Sequence, residues 1–211
     1  MPILDKILLY RIKHIDNLDY LFSIGKLSCP NHPDRDPYYI GIRDSSLIQH
    51  RSSKEIVMPP YGTSKDYLSF YFGNRSPMLY NIWKGFKDVV QRSQSNIIYL
   101  VSSYQLIKSS GHPYVFFDGH GYDSFSELFN NDEGLNHIDW DAVKSKQWSK
   151  PEEDPDLKRR KQAEFLVYRE LSVKFLLGIG VFNKNAQQKI LSILTKNDVI
   201  LNCAIKPDWY Y

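Results

Sequence analysis

Four consecutive cations, Lys158-Arg159-Arg160-Lys161, run directly into Gln162-Ala163-Glu164-Phe165-Leu166-Val167, an apolar segment with a single carboxylate. Read as a strand over 163–168, the segment alternates its side chains between two faces. Gln162, Glu164 and Leu166 then share one side, and Ala163, Phe165 and Val167 the other. A carboxylate on the apolar face of a strand is costly to bury unless something pairs it or uses it. A cationic stretch feeding such a carboxylate points to chemistry on an anionic substrate. Taken alone, the plainer reading is the stronger: a Glu at a sheet edge, paired with a nearby cation.

Other polar residues gather at the expected ends of strands: Arg11 to Asn17 with His14, then His50-Arg51, then Phe70 to Tyr80 with Arg75, then Phe117-Asp118-Gly119-His120. Each has an ordinary explanation as a cap, a solvated loop cation or a turn residue. No Gly-rich phosphate loop, no His-Glu-x-x-His and no paired Cys clusters are present, so no metal is expected.

Short elements must position these residues. Strands are expected over 7–12, 38–42, 67–72, 96–102, 113–117, 163–168, part of 173–182, and 199–205, from β-branched and aromatic runs. Helices are expected from Asp16 or Asn17 to about 24 with Gly25 closing the turn, from Pro77 to about 83, and over 104–109, 124–129 and 186–194. The stretch 130–160 reads as a long mobile connection, which inside a compact domain is usually functional. Strands and short helices without regular βα alternation indicate α+β.

Composition sets the outer limits. The 211 residues suit one domain, and 42% hydrophobic residues are enough for a core. A net charge of +3 does not by itself announce nucleic-acid binding. The charge is uneven, however: 151–156 is acidic and 158–161 basic. Two separate cysteines, Cys29 and Cys203, imply no disulfide framework and suit a reducing compartment. Charges among the first fourteen residues break any signal-peptide pattern, and no apolar run approaches the length of a membrane span. A soluble cytoplasmic protein is expected, as a monomer.

The joint order of the polar stretches resembles the DarT-type DNA ADP-ribosyltransferases, toxins of bacterial toxin–antitoxin pairs. The resemblance rests on Tyr10 to Leu18, on Tyr39 to Ile42 followed by Arg51, on Phe70-Tyr71-Phe72 with Arg75-Ser76-Pro77-Met78-Leu79-Tyr80, on Val115 to His120, and on Arg160 to Val167. It spans nearly the whole chain; the Arg75–Tyr80 and Lys161–Val167 blocks are the specific ones. One departure stands out: Lys13 takes the place of the Thr usual before His14.

The resemblance implies an ADP-ribosyltransferase-like split β-sheet core with short helices and a long substrate-recognition loop, as one domain over 1–211. The NAD-binding element would lie at about 34–53 and the acceptor-recognition loop at about 120–164. NAD is implied as ADP-ribose donor and a base of single-stranded DNA, thymine first, as acceptor. Glu164 is implied as the catalytic carboxylate that stabilises an oxocarbenium-like transition state, with Gln162 placing the acceptor. Lys13, His14, Ile15 and Asn17 are implied at nicotinamide and its ribose, with Phe70 and Tyr71 stacking on nicotinamide or the base. Arg51 is implied as the second catalytic residue; a guanidinium has no acceptor capacity, so a role on a deprotonated base or a diphosphate is the defensible one. His120 would orient ribose or contact the acceptor strand. Lys158, Arg159, Arg160 and Lys161 would hold phosphates, and Tyr122, Trp140 and Trp148 would stack unpaired bases. A DarG-like macrodomain antitoxin on a separate chain is the implied partner. The same chemistry on guanine or RNA, or a catalytically degenerate nucleic-acid-binding module, are the alternatives.

Overall fold

The computed structural model describes residues 6–42, 54–86, 89–148 and 152–211. Ten strands are described: β1 (Leu8–His14), β2 (Lys26–Ser28), β3 (Tyr67–Tyr71), β4 (Ile97–Ser103), β5 (Tyr114–Phe117), β6 (Leu128–Phe129), β7 (Glu164–Tyr168), β8 (Glu170–Ser172), β9 (Gly178–Val181) and β10 (Cys203–Ile205). Among the described residues the helices are α1 (Leu18–Ser23), α2 (Pro77–Lys84), α3 (Tyr104–Ser109), α4 (Trp140–Lys144), α5 (Leu157–Arg160) and α6 (Lys184–Lys196).

Eight strands form one sheet in the order β10-β9-β4-β1-β3-β7-β5-β6, parallel only between β9 and β10. The strength of its ladders is uneven. β1 and β4 share seven register pairs and β3 and β7 share five, but β1 meets β3 only at Tyr10 opposite Tyr71. The sheet is therefore two well-paired halves whose ladders meet at one register pair. That is the split core implied by the resemblance.

Period-two patterning explains the layers. In β1, Leu9, Arg11 and Lys13 alternate with Leu8, Tyr10 and Ile12. Leu9 enters the main core with Phe70, Phe116 and Phe165. Ile12 enters the second cluster with Tyr99, Val101 and Tyr210, and Leu8 and Tyr10 pack against it. The face shared by Arg11 and Lys13 thus begins in core and ends in charge.

Several expected elements differ. The 38–42 stretch is not a strand; its backbone is held by the Asn17 carboxamide, which donates to Ile40 O at 2.9 Å and accepts from Ile40 N at 2.8 Å. No helix forms over 124–129. Asp123 accepts from Phe125 N and Asp118 from Glu127 N, which fixes turns there, and Leu128–Phe129 pairs with β5 instead. The described part of 130–160 is not a structureless connection: it carries a 3-10 turn at Glu133–His137 and the helices α4 and α5. The four-cation run accordingly lies on and just after a helix rather than in a loop. β7 starts at Glu164, and Gln162 belongs to the preceding turn.

Candidate active site

Glu164 opens β7 at the meeting of two ladders, opposite Tyr71 of β3 and Phe117 of β5. It is only 2% exposed, and a carboxylate at that depth requires polar surroundings. His120 Nε2 stands 3.9 Å from its Oε1. A Cβ placed on Gly121 would come within 3.6 Å of its Oε2 and 2.9 Å of the Phe117 ring, so backbone passes close to the carboxylate where a side chain would crowd Phe117. Glu164 faces a small cavity of about 60 Å³ shared with Arg11, Ser69, Tyr67 and Tyr122.

Arg11, Pro30 and Ser64 line that cavity and also a second one of about 990 Å³, so the two adjoin at these residues. The larger volume is at the upper end of the range of roughly 300–1,000 Å³ for small-molecule sites. It occupies the parting of the sheet, with Arg11 and Lys13 from β1 on one side and Tyr71 from β3 on the other. Arg11 is 8% exposed, and its Nη1 donates to Ser69 O at 2.5 Å, bridging the gap between the halves. Lys13 lies 4.8 Å from the Tyr39 ring centre, a cation–π contact within the cavity wall. Arg35 and Lys65 add cationic character toward the outer end. A cavity of this size with dispersed cations and carboxylates and an aromatic wall, adjoining the small cavity that Glu164 lines, fits a phosphorylated ligand whose reacting atom approaches Glu164.

The expected cofactor residues divide into three groups. Lys13, Asn17 and Tyr71 line the large cavity. Asn17 spends both ends of its carboxamide on Ile40, so it acts as a buttress for the 36–42 wall, which Arg92 also ties by donating to Gly41 O. The side chains of His14 and Ile15 do not line the cavity. His14 accepts from Asp16 N across the start of a 3-10 turn, burial lowers its pKa below the ordinary imidazole value, and Ile15 is in the main core. Phe70 is also fully buried in that core and has no face to offer a ring. Arg51 lies outside the described residues, as does the 43–53 part of the expected NAD-binding element.

The cation run departs most from its expected role. Arg159 forms a bidentate pair with Asp156 at 2.7 and 2.8 Å, and its Nη1 reaches Asp118 at 3.0 Å and Ser126 at 3.2 Å. Arg160 pairs with Asp139, Asp154 and Asp156. Those pairs hold the carboxyls of Asp154 and Asp156 below the usual carboxylate range. Lys161 is buried. Of the four, Lys158 alone is exposed; its Nζ lies 5.9 Å from the Trp148 ring centre and it lines the large cavity, as do Arg159, Gln162 and His120. Gln162 donates to Lys158 O at 3.0 Å. The aromatic platforms are likewise partly committed: Trp140 packs edge-on against Phe72, and Trp148 donates to the Tyr211 hydroxyl and meets Tyr80 edge-on. Tyr122 remains 46% exposed beside Glu164.

Sequence reasoning noted Arg11 and Asp118 only as members of polar stretches, without a role, and passed over Ser69. Arg11 was legible: a charge at the core-facing period of a central strand is a signal in itself. Ser69 and Asp118 were not, because their importance lies in partners distant in the chain.

Comparison with known proteins agrees with this geometry. Residues 10–211 match the family model described as DarT, ssDNA thymidine ADP-ribosyltransferase. A DNA ADP-ribosyl transferase of Thermus sp. strain 2.9 is 36% identical over 205 residues, covering 96% of this chain and 95% of the relative. The solved structure of Thermus sp. 2.9 DarT in complex with ADP-ribosylated ssDNA superposes with a TM-score of 0.91 at 35% identity, covering 97% of this chain and 96% of that one. The same protein in complex with NAD+ superposes with a TM-score of 0.86 at 34% identity, covering 98% of both chains.

Proposed function

The chain belongs to the DarT family of single-stranded-DNA thymidine ADP-ribosyltransferases, and from that premise we propose that it transfers ADP-ribose from NAD to thymine in single-stranded DNA, acting as a growth-arresting toxin. The observation that carries the reading is the placement of Glu164: a nearly buried carboxylate in a small cavity that adjoins one large enough for a dinucleotide.

In this reaction the bond between nicotinamide and the anomeric ribose carbon breaks, a ring nitrogen of the base forms the new bond to that carbon, and the base gives up its proton. Positive charge builds on the ribose as the bond lengthens. Glu164 faces that charge from a site with little water, where a carboxylate stabilises it far more than in bulk solvent. The large cavity holds NAD, with Arg11 and Lys13 near its anionic part and Tyr71 offering a ring face. His120, beside Glu164, orients ribose or the incoming base. Arg51 stabilises the deprotonated base or the diphosphate. The 120–164 segment presents the acceptor strand, and an exposed base suits single-stranded DNA. A DarG-like macrodomain antitoxin on a separate chain and a cytoplasmic site of action belong to the same proposal. Among the described residues no helix is long and apolar enough to cross a membrane.

The test is acceptor exchange. Protein and NAD are incubated with oligonucleotides that contain thymine, guanine without thymine, or ribose in place of deoxyribose, and each product is weighed by mass spectrometry. The proposal requires an increment of one ADP-ribose on the thymine-containing DNA. Modification restricted to guanine or to RNA contradicts the acceptor, and an unmodified set contradicts the activity.

A further inference from the structure

Lys161 is 2% exposed, and no carboxylate lies within ion-pairing distance of it among the described residues. Burying an ammonium without a counter-charge is expensive, so such a residue is retained for what it holds. Its Nζ donates to Val143 O at 2.6 Å and to Asn74 O at 3.2 Å. Val143 is in the last turn of α4, where carbonyls lack intrahelical partners and the helix end favours a cation. Asn74 is in the turn that follows Tyr71 at the end of β3. The contact is close at backbone level too, since a Cβ on Gly73 would lie 2.4 Å from Val143 O.

Three segments therefore meet on one side chain: the turn after Tyr71, the helix α4, and the residues entering Glu164. Arg159 and Arg160, its neighbours in the run, bind carboxylates near the surface, while Lys161 alone turns inward. We propose that Lys161 is a positioning residue: it fixes α4 and the residues entering β7 against the 73–75 turn and so sets how the acceptor base meets Glu164, without touching either substrate. This rests on the transferase reading above.

The mechanism makes a specific demand. When the base is misplaced, water takes its position: its oxygen bonds to the anomeric carbon, its proton is released, and free ADP-ribose and nicotinamide result. Misplacement thus changes the partition between transfer and hydrolysis rather than NAD binding. A shift of about 1 Å in a reacting group costs on the order of 100-fold in rate.

The experiment compares wild type with Lys161→Met, which keeps length and loses both donors. NAD affinity, nicotinamide release and oligonucleotide modification are measured on the same samples. The expected result is a fall of about 10- to 100-fold in transfer kcat/KM for the oligonucleotide. NAD affinity stays within about twofold, and a larger share of turnover goes to free ADP-ribose. A parallel fall in NAD affinity and transfer, or unchanged partition, overturns the proposal. Gly73→Ala, which forces Val143 O off the turn while keeping the lysine, must give the same change in partition; if Lys161→Met does not fold, this variant decides alone. Failure of wild type to modify DNA at all counts against the transferase reading instead.

Discussion

The ion pairs around α5 make a quantitative prediction about DNA affinity. Four free cations on single-stranded DNA would give log K against log salt a slope of about 2.8, from about 0.7 per neutralised phosphate. The structure leaves one. Lys158, Arg159 and Arg160 carry three positive charges, and Asp118, Asp139, Asp154 and Asp156 around them carry four negative ones. Lys158→Ala is thus expected to lower the slope by about 0.7, which between 50 and 200 mM salt is about a 2.6-fold difference in affinity loss rather than about 50-fold. Arg160→Gln combined with Asp154→Asn removes a pair at constant net charge and is expected to leave the slope unchanged within about 0.2. Fluorescence anisotropy of a labelled oligonucleotide over a salt series reads both. A drop of about 0.7 or more in the double variant, with its melting temperature intact, refutes the assignment of Arg160 as a structural partner.

Three further outcomes follow from particular contacts. Asn17→Ala removes both hydrogen bonds to Ile40 and frees one wall of the large cavity; NAD binding by calorimetry is expected to weaken about tenfold, in line with 1–3 kcal/mol for a buried bonded polar group. Gly180→Ala drives a Cβ to 2.4 Å from the Trp209 ring, far from Glu164, and is expected to cost about 1–3 kcal/mol, or about 2–10 °C in Tm, with transfer at low temperature preserved. Burial, with the nearby Arg75 charge, pushes the Lys161 pKa down from 10.5 to about 8. The unfolded chain then holds more protons than the native one between these values, so this group's destabilisation is complete below about pH 8 and is relieved as pH rises toward 10.5. Denaturant unfolding is expected to show wild type gaining on Lys161→Met by on the order of 3 kcal/mol over that window; a constant difference contradicts a charged, desolvated lysine.

The strands that build the sheet were legible because 67–71, 97–103 and 164–168 are dense in apolar and β-branched or aromatic residues, and their burial is set by their own pattern. The 38–42 and 124–129 segments were misread for one shared reason. Tyr38 to Ile42 looks like a strand, but the Asn17 side chain takes both backbone groups of Ile40 and Arg92 takes Gly41 O. Ser124 to Phe129 looks like a helix, but Asp118 and Asp123 take its amides. In both, a distant or locally competing partner overrides propensity. The carboxylate at 164 was visible as an exception to strand chemistry, and the structure places it as such. The cations before it were visible as charge only. Whether a charge faces DNA or a carboxylate depends on residues such as Asp118, 41 positions away from Arg159, which no local pattern reports. Arg11 shows the converse: its alternation with Tyr10 and Ile12 is a local pattern, although only the structure shows that it lines the cavity.

The central claim is that Glu164 stabilises the charge that develops as nicotinamide leaves. Its most direct test is Glu164→Gln, which keeps size and hydrogen-bonding reach and removes the negative charge. A thymine-containing single strand is incubated with NAD and either protein, and its mass is followed over time. The account predicts that wild type adds one ADP-ribose and that the variant is slower by about 10²–10³-fold while still binding NAD. Modification at the wild-type rate by Glu164→Gln contradicts it.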